Sequence, residues 1–367
     1  MFFKRLFAAL KSFDWMLFGA VALLVSFGLS AIYSISVSSA NPDFLNFKKQ
    51  IVFALIGLGL LFLISLLDYR IWQDYSYFIY IAVAVTLVAV LFLGKTIRGT
   101  TGWFSLMGIN FQPVELAKIA LIAFLAWFLS KKILEIKQFK NFALSALITG
   151  GFFLLVIFQP DFGSAIILFL IWIFMLVFAG AKKQHLLFLA GGLALAALVA
   201  WLFLFQTYQR DRILTFFNPA LDPYGRGYHV RQAVTAVGAG GLFGRGLGFG
   251  SQSQLKFLPA AETDFIFAVI AEELGFLGVI LVLFFLGVIF YRLIKAVKSM
   301  KDSFAQLFIL GVSALFFSQI MINIGMNIGI VPVTGISLPF LSYGGSFLVV
   351  CLILIGMVES MIIRNRN

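Results

Sequence analysis

Ten predominantly apolar stretches of about 20 residues run through this chain, at roughly 15–38, 49–67, 76–94, 113–130, 142–159, 163–180, 186–206, 264–291, 304–325 and 344–363. That is the length a helix needs to cross the hydrocarbon core of a bilayer, where every backbone N–H and C=O must be satisfied within the segment. The expected fold is therefore an all-α polytopic membrane protein of about ten transmembrane helices, a single integral membrane domain over residues 1–367. Composition agrees: 62% of residues are hydrophobic and only 11% charged, with a mean hydropathy of +1.05. A soluble domain of this length would need a far more polar surface.

The single cysteine, Cys351, excludes an intrachain disulfide, and His185 and His229 stand far apart with no cysteine beside them, which argues against zinc. The net charge of +12 does not read as a nucleic-acid surface, because the basic residues sit mostly in short segments between apolar stretches. With the N-terminus placed inside, sixteen Lys and Arg residues fall on the cytoplasmic side, and four (Lys48, Lys49, Lys95 and Arg98) in the short outer loops. Basic residues concentrate on the cytoplasmic side of membrane proteins, so both termini are expected in the cytoplasm. The first stretch exceeds the core of a cleaved signal peptide, about 7–15 residues, and should persist as a span. Before it, Phe3, Leu6, Phe7 and Leu10 share one helical face, which suits either a surface-lying amphipathic helix or a plain basic flank. The sixth and seventh stretches meet at residues 181–185, a tight hairpin.

Residues 208–263 break the pattern: this Gly-, Pro- and Arg-rich segment is expected to be a large extracytoplasmic loop between spans seven and eight. It carries Arg210, Arg212, Arg226, Arg231, Arg245 and Lys256. Basic side chains outside run against the orientation rule, and a phosphate-bearing ligand is one explanation, since Arg forks match phosphate oxygens. Long loops also escape the rule, so the charges alone leave the matter open. The glycines of GAGGLFGRGLGFG, residues 238–250, read as tight packing rather than a dinucleotide site, because no strand–turn–helix context surrounds them.

Ionisable residues within or beside spans are costly and therefore suspect. Glu115 and Lys118, at i and i+3, share a helix face and can neutralise each other, as a packing ion pair or as part of a site. Asp161, in QPDFGS, fits a helix cap or a partner for Lys118. Asp264 follows the long loop at the start of the eighth span, where reduced solvation would suit a general base and an N-cap role is the plain alternative. Glu272 and Glu273 follow two turns deeper with a supporting role at most. The uncharged segment 325–346, with two prolines and five glycines, is expected to dip back and line a cavity.

The strings RGTTGWF…GINFQPVELAK, QPDFGSA, GGLFGRGLGFGSQSQLKFLP, TDFIFAVIAEELGFLG and NIGIVPVTGISLPFLSYGG, in this order along nearly the whole chain, resemble the shape, elongation, division and sporulation (SEDS) family. The short termini, DPYGRGYHV and PVTGI favour its RodA-like, elongation branch over the FtsW-like, division branch. The resemblance implies a peptidoglycan glycosyltransferase that polymerises lipid II, an undecaprenyl-pyrophosphate-linked disaccharide-pentapeptide, at the outer face of the bacterial cytoplasmic membrane. It implies a partner, a class B penicillin-binding protein. The family's catalytic aspartate falls on Asp264, its Glu–Lys pair on Glu115 and Lys118, and its hairpin aspartate on Asp161. The chain departs from the family where Glu and His are usual: it has Ala260 and Glu262. Asp264 with Glu262 is a candidate for binding a divalent cation, Mg or Mn; no organic cofactor is expected. Arg98, Arg210, Arg212, Arg231, Arg245 and Lys256 are candidates for the departing pyrophosphate. Two rival classes remain, a lipid II flippase and a non-catalytic scaffold. Against transport, no internal repeat is evident, and the polar residues gather on one side rather than at the midplane.

Overall fold

The structure, a computed structural model, describes residues 11–366 except 38–41, 98, 107–108, 205–209, 211–213, 216–221 and 223–224. Phe3, Leu6, Phe7 and Leu10, like Arg98 and Arg212, lie outside the described residues.

Each of the ten apolar stretches falls on a helix: α1 Trp15–Val37, α2 Leu45–Leu66, α4 Ser76–Leu93, α5 Pro113–Lys131, α6 Phe139–Ile157, α7 Phe162–Phe178, α8 Lys183–Val199, α11 Ile266–Ser299, α12 Ser303–Asn327 and α13 Gly345–Arg366. A short helix, α3 Arg70–Asp74, precedes α4. Among the described residues, eight of these helices are long and apolar enough to cross a membrane; α7, with 17 residues, is apolar but shorter. Helix ends follow local chemistry. Pro113 opens α5, where its missing N–H costs nothing, and Asp302 caps α12 by accepting from the amides of Phe304 and Ala305.

The bundle is graded from centre to lipid. Helix α13 has 83% of its apolar window buried, against 22% for α4. Leu55, Phe78, Phe92, Leu147 and Phe284 are exposed, as lipid-facing side chains should be. The central seam joins α2 to α13, whose approach leaves no room for side chains: a Cβ on Gly356 would stand 2.7 Å from the Leu61 carbonyl oxygen.

Two features depart from the all-α expectation of helices joined by loops. Between α4 and α5 the chain forms a three-stranded antiparallel sheet, β1 Lys95–Ile97, β2 Thr100–Leu106 and β3 Ile109–Phe111, in the order β1-β2-β3. Its register pairs Lys95 with Trp103 and Ser105 with Asn110. The segment read as a long loop contains helix α9, Arg226–Ala239, and a short turn of helix, α10 Ser251–Gln254. Helix α9 forms because Ala233 and Ala236 seat a small-residue face on Phe265, Ala268 and Val269, a satellite core beside the main one.

Helix α11 is broken. Gly275 has φ 65 and ψ −163, so residues 266–274 form a separate half-helix. The glycine-rich loop after α9 packs against this break: the amides of Arg245 and Gly246 donate to the carbonyls of Glu272 and Glu273, and Phe276 and Leu277 donate back to Gly241 and Leu242. The buried Glu272 carboxylate accepts the amides of Gln252 at 2.8 Å and Ser253 at 3.0 Å, capping α10. Glu273 accepts from Ser34 of α1 at 2.7 Å and from Gln254 at 3.0 Å. These two carboxylates fasten the loop to the bundle.

Candidate active site

Asp264 stands on a turn that the sequence bends tightly. Ala260 takes a left-handed φ of 53, and its carbonyl accepts the amides of Thr263 and Asp264, each at 3.1 Å. The turn is held from α12, where Asn323 and Asn327 each donate to the Asp264 carbonyl oxygen at 3.0 Å. Asn327 also accepts the Ala268 amide at 3.1 Å, satisfying a first-turn N–H of α11. The cap residue of that helix is Phe265, which contributes no side-chain hydrogen bond. The N-cap role open to Asp264 in the sequence thus passes to a neighbouring helix.

The returning segment between α12 and α13 closes over this turn. Ser342 donates to the Thr263 carbonyl at 2.6 Å, the Tyr343 amide donates to the Glu262 carbonyl at 2.8 Å, and Asn323 donates to Ile336 at 2.7 Å. Burial, and secondarily the charge of Glu262, raise the pKa of the Tyr343 phenol above its ordinary value.

Asp264, Asp161, Glu115 and Lys118 all line one cavity of about 710 Å³. The structure thus brings together three groups that the sequence spreads over 150 positions. Lys118 and Glu115 form a buried ion pair of 2.7 Å. Asp161 does not join them. It caps α7, accepting from the Ser164 amide at 2.9 Å and hydroxyl at 2.8 Å, and also takes a 3.0 Å hydrogen bond from Gln112. The expected inward dip of residues 325–346 is present, with Thr334, Gly335, Ile336 and Ser337 on the cavity wall.

The electrostatics of the cavity follow from helix polarity. Its lining takes in the N-terminal ends of five helices: Leu45 and Lys48 of α2, Gln112 and Glu115 at α5, Asp161 and Ser164 at α7, Thr263 and Asp264 before α11, and Gly345 and Ser346 of α13. Each such end carries partial positive charge and amides without intrahelical acceptors. Lys48 and Lys49 add full charges to the same wall. The cavity therefore combines groups that favour an anion with carboxylates, Glu115, Asp161 and Asp264, at three of the same helix ends.

Among the described residues, the basic side chains expected at the site do not line the cavity. Arg210, Arg231, Arg245 and Lys256 lie outside the lining. Arg210 donates to the Leu202 carbonyl at 3.4 Å, and Arg245 donates to Ser251 at 2.9 Å. Glu262 accepts from Asn46 at 2.7 Å and is also outside the lining, so it does not converge with Asp264 on the cavity. Sequence reasoning overlooked Lys48 and Lys49, visible as two basic residues on the side the charge bias disfavours. It also overlooked Gln319, Asn323 and Asn327, whose i, i+4, i+8 spacing marks one polar stripe on an apolar helix.

The chain is similar along nearly its whole length to known proteins. It is 39% identical over 354 residues to the stage V sporulation protein E of Bacillus subtilis, covering 94% of this chain and 95% of that one. It is 34% identical to a probable peptidoglycan glycosyltransferase FtsW of Geobacter sp. strain M18, covering 97% and 98%. Among solved structures, it matches a chain of a peptidoglycan synthase complex that coordinates polymerization and crosslinking, with a TM-score of 0.82, 33% identity and coverage of 97% and 98%. It matches the rod shape determining protein RodA of Thermus thermophilus with a TM-score of 0.73, 31% identity and the same coverage. With residues 12–367 matching the FtsW/RodA/SpoVE cell cycle proteins, the family its motifs resemble, the chain belongs to that family.

Proposed function

We propose that this multi-pass membrane protein is a peptidoglycan glycosyltransferase that polymerises lipid II, with Asp264 as the general base. The observation that carries the reading is that carboxylates and cationic groups line one cavity together: Asp264, Asp161 and Glu115 with Lys48, Lys49 and the N-terminal ends of five helices. A glycosyl transfer from a pyrophosphate-linked sugar needs both. Asp264 takes the proton of the acceptor 4-hydroxyl as that oxygen bonds to the donor's anomeric carbon. The bond from that carbon to the pyrophosphate breaks with inversion, and its electrons leave on the phosphate. The lysines and helix ends stabilise the charge that develops there. The lysines thus join Arg98 and Arg212, which lie outside the described residues, as candidates for this role.

A Mg or Mn ion stays outside this mechanism. Among the described residues no group of three or more His, Cys, Asp or Glu side chains is placed to hold one. Glu115 is engaged by Lys118, and Asp161 by Gln112 and Ser164. A cation would have to share Asp264 with phosphate oxygens.

The proposed orientation has the cavity end on the outer side and both termini in the cytoplasm, which the charge asymmetry of the connecting segments supports. A class B penicillin-binding protein is the proposed partner, supported by similarity to a chain of a synthase complex. The elongation role rests on DPYGRGYHV and PVTGI, although the curated relatives named above are division and sporulation proteins. Rescue of rod shape, and not of septation, in a strain depleted of its own elongation polymerase would support it; the reverse result would assign division.

The direct test is polymerisation of labelled lipid II by the purified protein with its partner, comparing wild type with Asp264→Asn. Glycan strands from wild type alone support the enzyme and the base. Equal product from both removes Asp264 from the mechanism. No product from either, with the partner bound, favours a flippase or scaffold.

A further inference from the structure

Three residues that line the cavity each carry a buried polar atom with no hydrogen-bond partner in the protein: Oε1 of Gln319, Oγ1 of Thr334 and Oε2 of Glu115. Gln319 is 1% exposed and Glu115 6% exposed, so bulk water does not supply the missing bonds. Each orphan leaves the free protein with an uncompensated desolvation cost, and Leu or Met at residue 319 would avoid it in so apolar a helix. The neighbours of Gln319 on the same face of α12 show how such side chains are normally used. Asn323 and Asn327, one and two turns on, are bonded to Asp264, Ile336 and Ala268. Of the stripe, Gln319 alone is among the residues lining the cavity, and its carbonyl oxygen is unanswered.

The chemistry of the three atoms selects the ligand group. A carboxylate oxygen and an amide oxygen accept hydrogen bonds, and a hydroxyl does either. Phosphate, itself only an acceptor here, is a poor match beside Glu115, whereas a sugar hydroxyl or an acetamido N–H supplies the donors required. Lys48 and Lys49 supply the opposite character on the same cavity. We propose that Gln319, with Thr334 and the second oxygen of Glu115, forms a specificity-determining subsite that hydrogen-bonds the saccharide, orienting it with its phosphate towards the lysines. This deepens the glycosyltransferase reading and rests on it.

The test uses Gln319→Met, close in shape and without the amide, in the full-length protein with its partner. Removing an orphan leaves the melting temperature of the ligand-free protein unchanged or raises it, while kcat/KM for lipid II falls about ten-fold. A marked loss of stability, or turnover at the wild-type level, overturns the proposal. Thr334→Val should behave in the same way. A second readout is independent of turnover: the melting shift produced by lipid II in Asp264→Asn protein, with and without Gln319→Met. A smaller shift with Met supports the subsite even if the protein proves not to be a polymerase; an equal shift overturns it. Lipid II lacking one N-acetyl group separates the two donors. If the acetamido group is the partner, Gln319→Met loses nothing further on that analogue; if a hydroxyl is, the two losses multiply.

Discussion

Ala260 sits in a left-handed conformation, φ 53, at the bend that delivers Asp264 to the cavity. For a residue with a Cβ this costs about 1–2 kcal/mol, so Ala260→Gly should raise the thermal stability by about 1 kcal/mol, read from the melting transition. The Glu115–Lys118 pair answers a different question at the same scale. Removing either partner alone leaves a buried charge, so Lys118→Met and Glu115→Leu should each destabilise by roughly 3–5 kcal/mol, and the double variant should recover most of the loss. Polymerisation by the recovered double variant would mark the pair as packing only; its absence would place the pair in the site. Tyr343 gives a pH signature. Its phenol is raised above the ordinary value by burial and by Glu262, so the neutral form belongs to the folded state. That contribution is complete below pH 10.0, the unperturbed value, and disappears as pH rises through the folded-state value. Absorbance titration of wild type against Tyr343→Phe should therefore lack one late-ionising phenol in the variant.

At the scale of elements, the half-helix before Gly275 depends on the glycine-rich loop behind it. A side chain at residue 275 would need φ 65 and would meet the backbone of Leu242 and Phe243 at 2.7 Å. Gly275→Ala should destabilise by roughly 1–3 kcal/mol and release residues 241–250 to limited proteolysis, which intact protein should resist. The break itself was not legible in the sequence, because residues 264–291 read as one apolar stretch despite Glu272 and Glu273, and hydropathy is blind to φ. The helices were legible, since each apolar stretch is long enough to dominate its surroundings. The sheet was not: β1 and β3 have three residues each, too few to show alternation, and they pair only because α4 and α5 bring them together. Helix α9 was hidden for another reason. Its apolar face is made of Ala and Val, which register weakly beside the arginines and glycines that suggested a loop. Asp264, Glu115, Lys118 and Asp161 could be picked out because charge in an apolar segment is conspicuous. That they share a cavity, and that neutral Gln319 shares it too, depends on contacts the linear order does not display.

The whole molecule has two different ends. One holds the sheet, the cavity and five helix N-termini; at the other, Arg292 of α11 pairs with Asp14 before α1, and the Asp14 amide donates to Glu359 of α13 at 3.1 Å. The proposed orientation predicts that, with Cys351 replaced by Ser, a cysteine at Lys182 is shielded from a membrane-impermeant thiol reagent in intact cells, while one at Leu242 reacts. The reverse pattern would invert the molecule and remove the cavity from the outer side. The seam between α2 and α13 bears on how the protein is made. Residues 45–66 lie against residues 345–366, with Gly356 seated on Leu61, so the partner of an early helix emerges some 300 residues later in synthesis. The N-terminal rim of α13 also supplies Gly345 and Ser346 to the cavity wall. During translation the earlier helices must wait in the bilayer, each satisfied in its own backbone but unpaired on its inner face. A nascent chain therefore has no complete cavity until α13 inserts, and a polypeptide abandoned before it is left without the means to act on the cell wall.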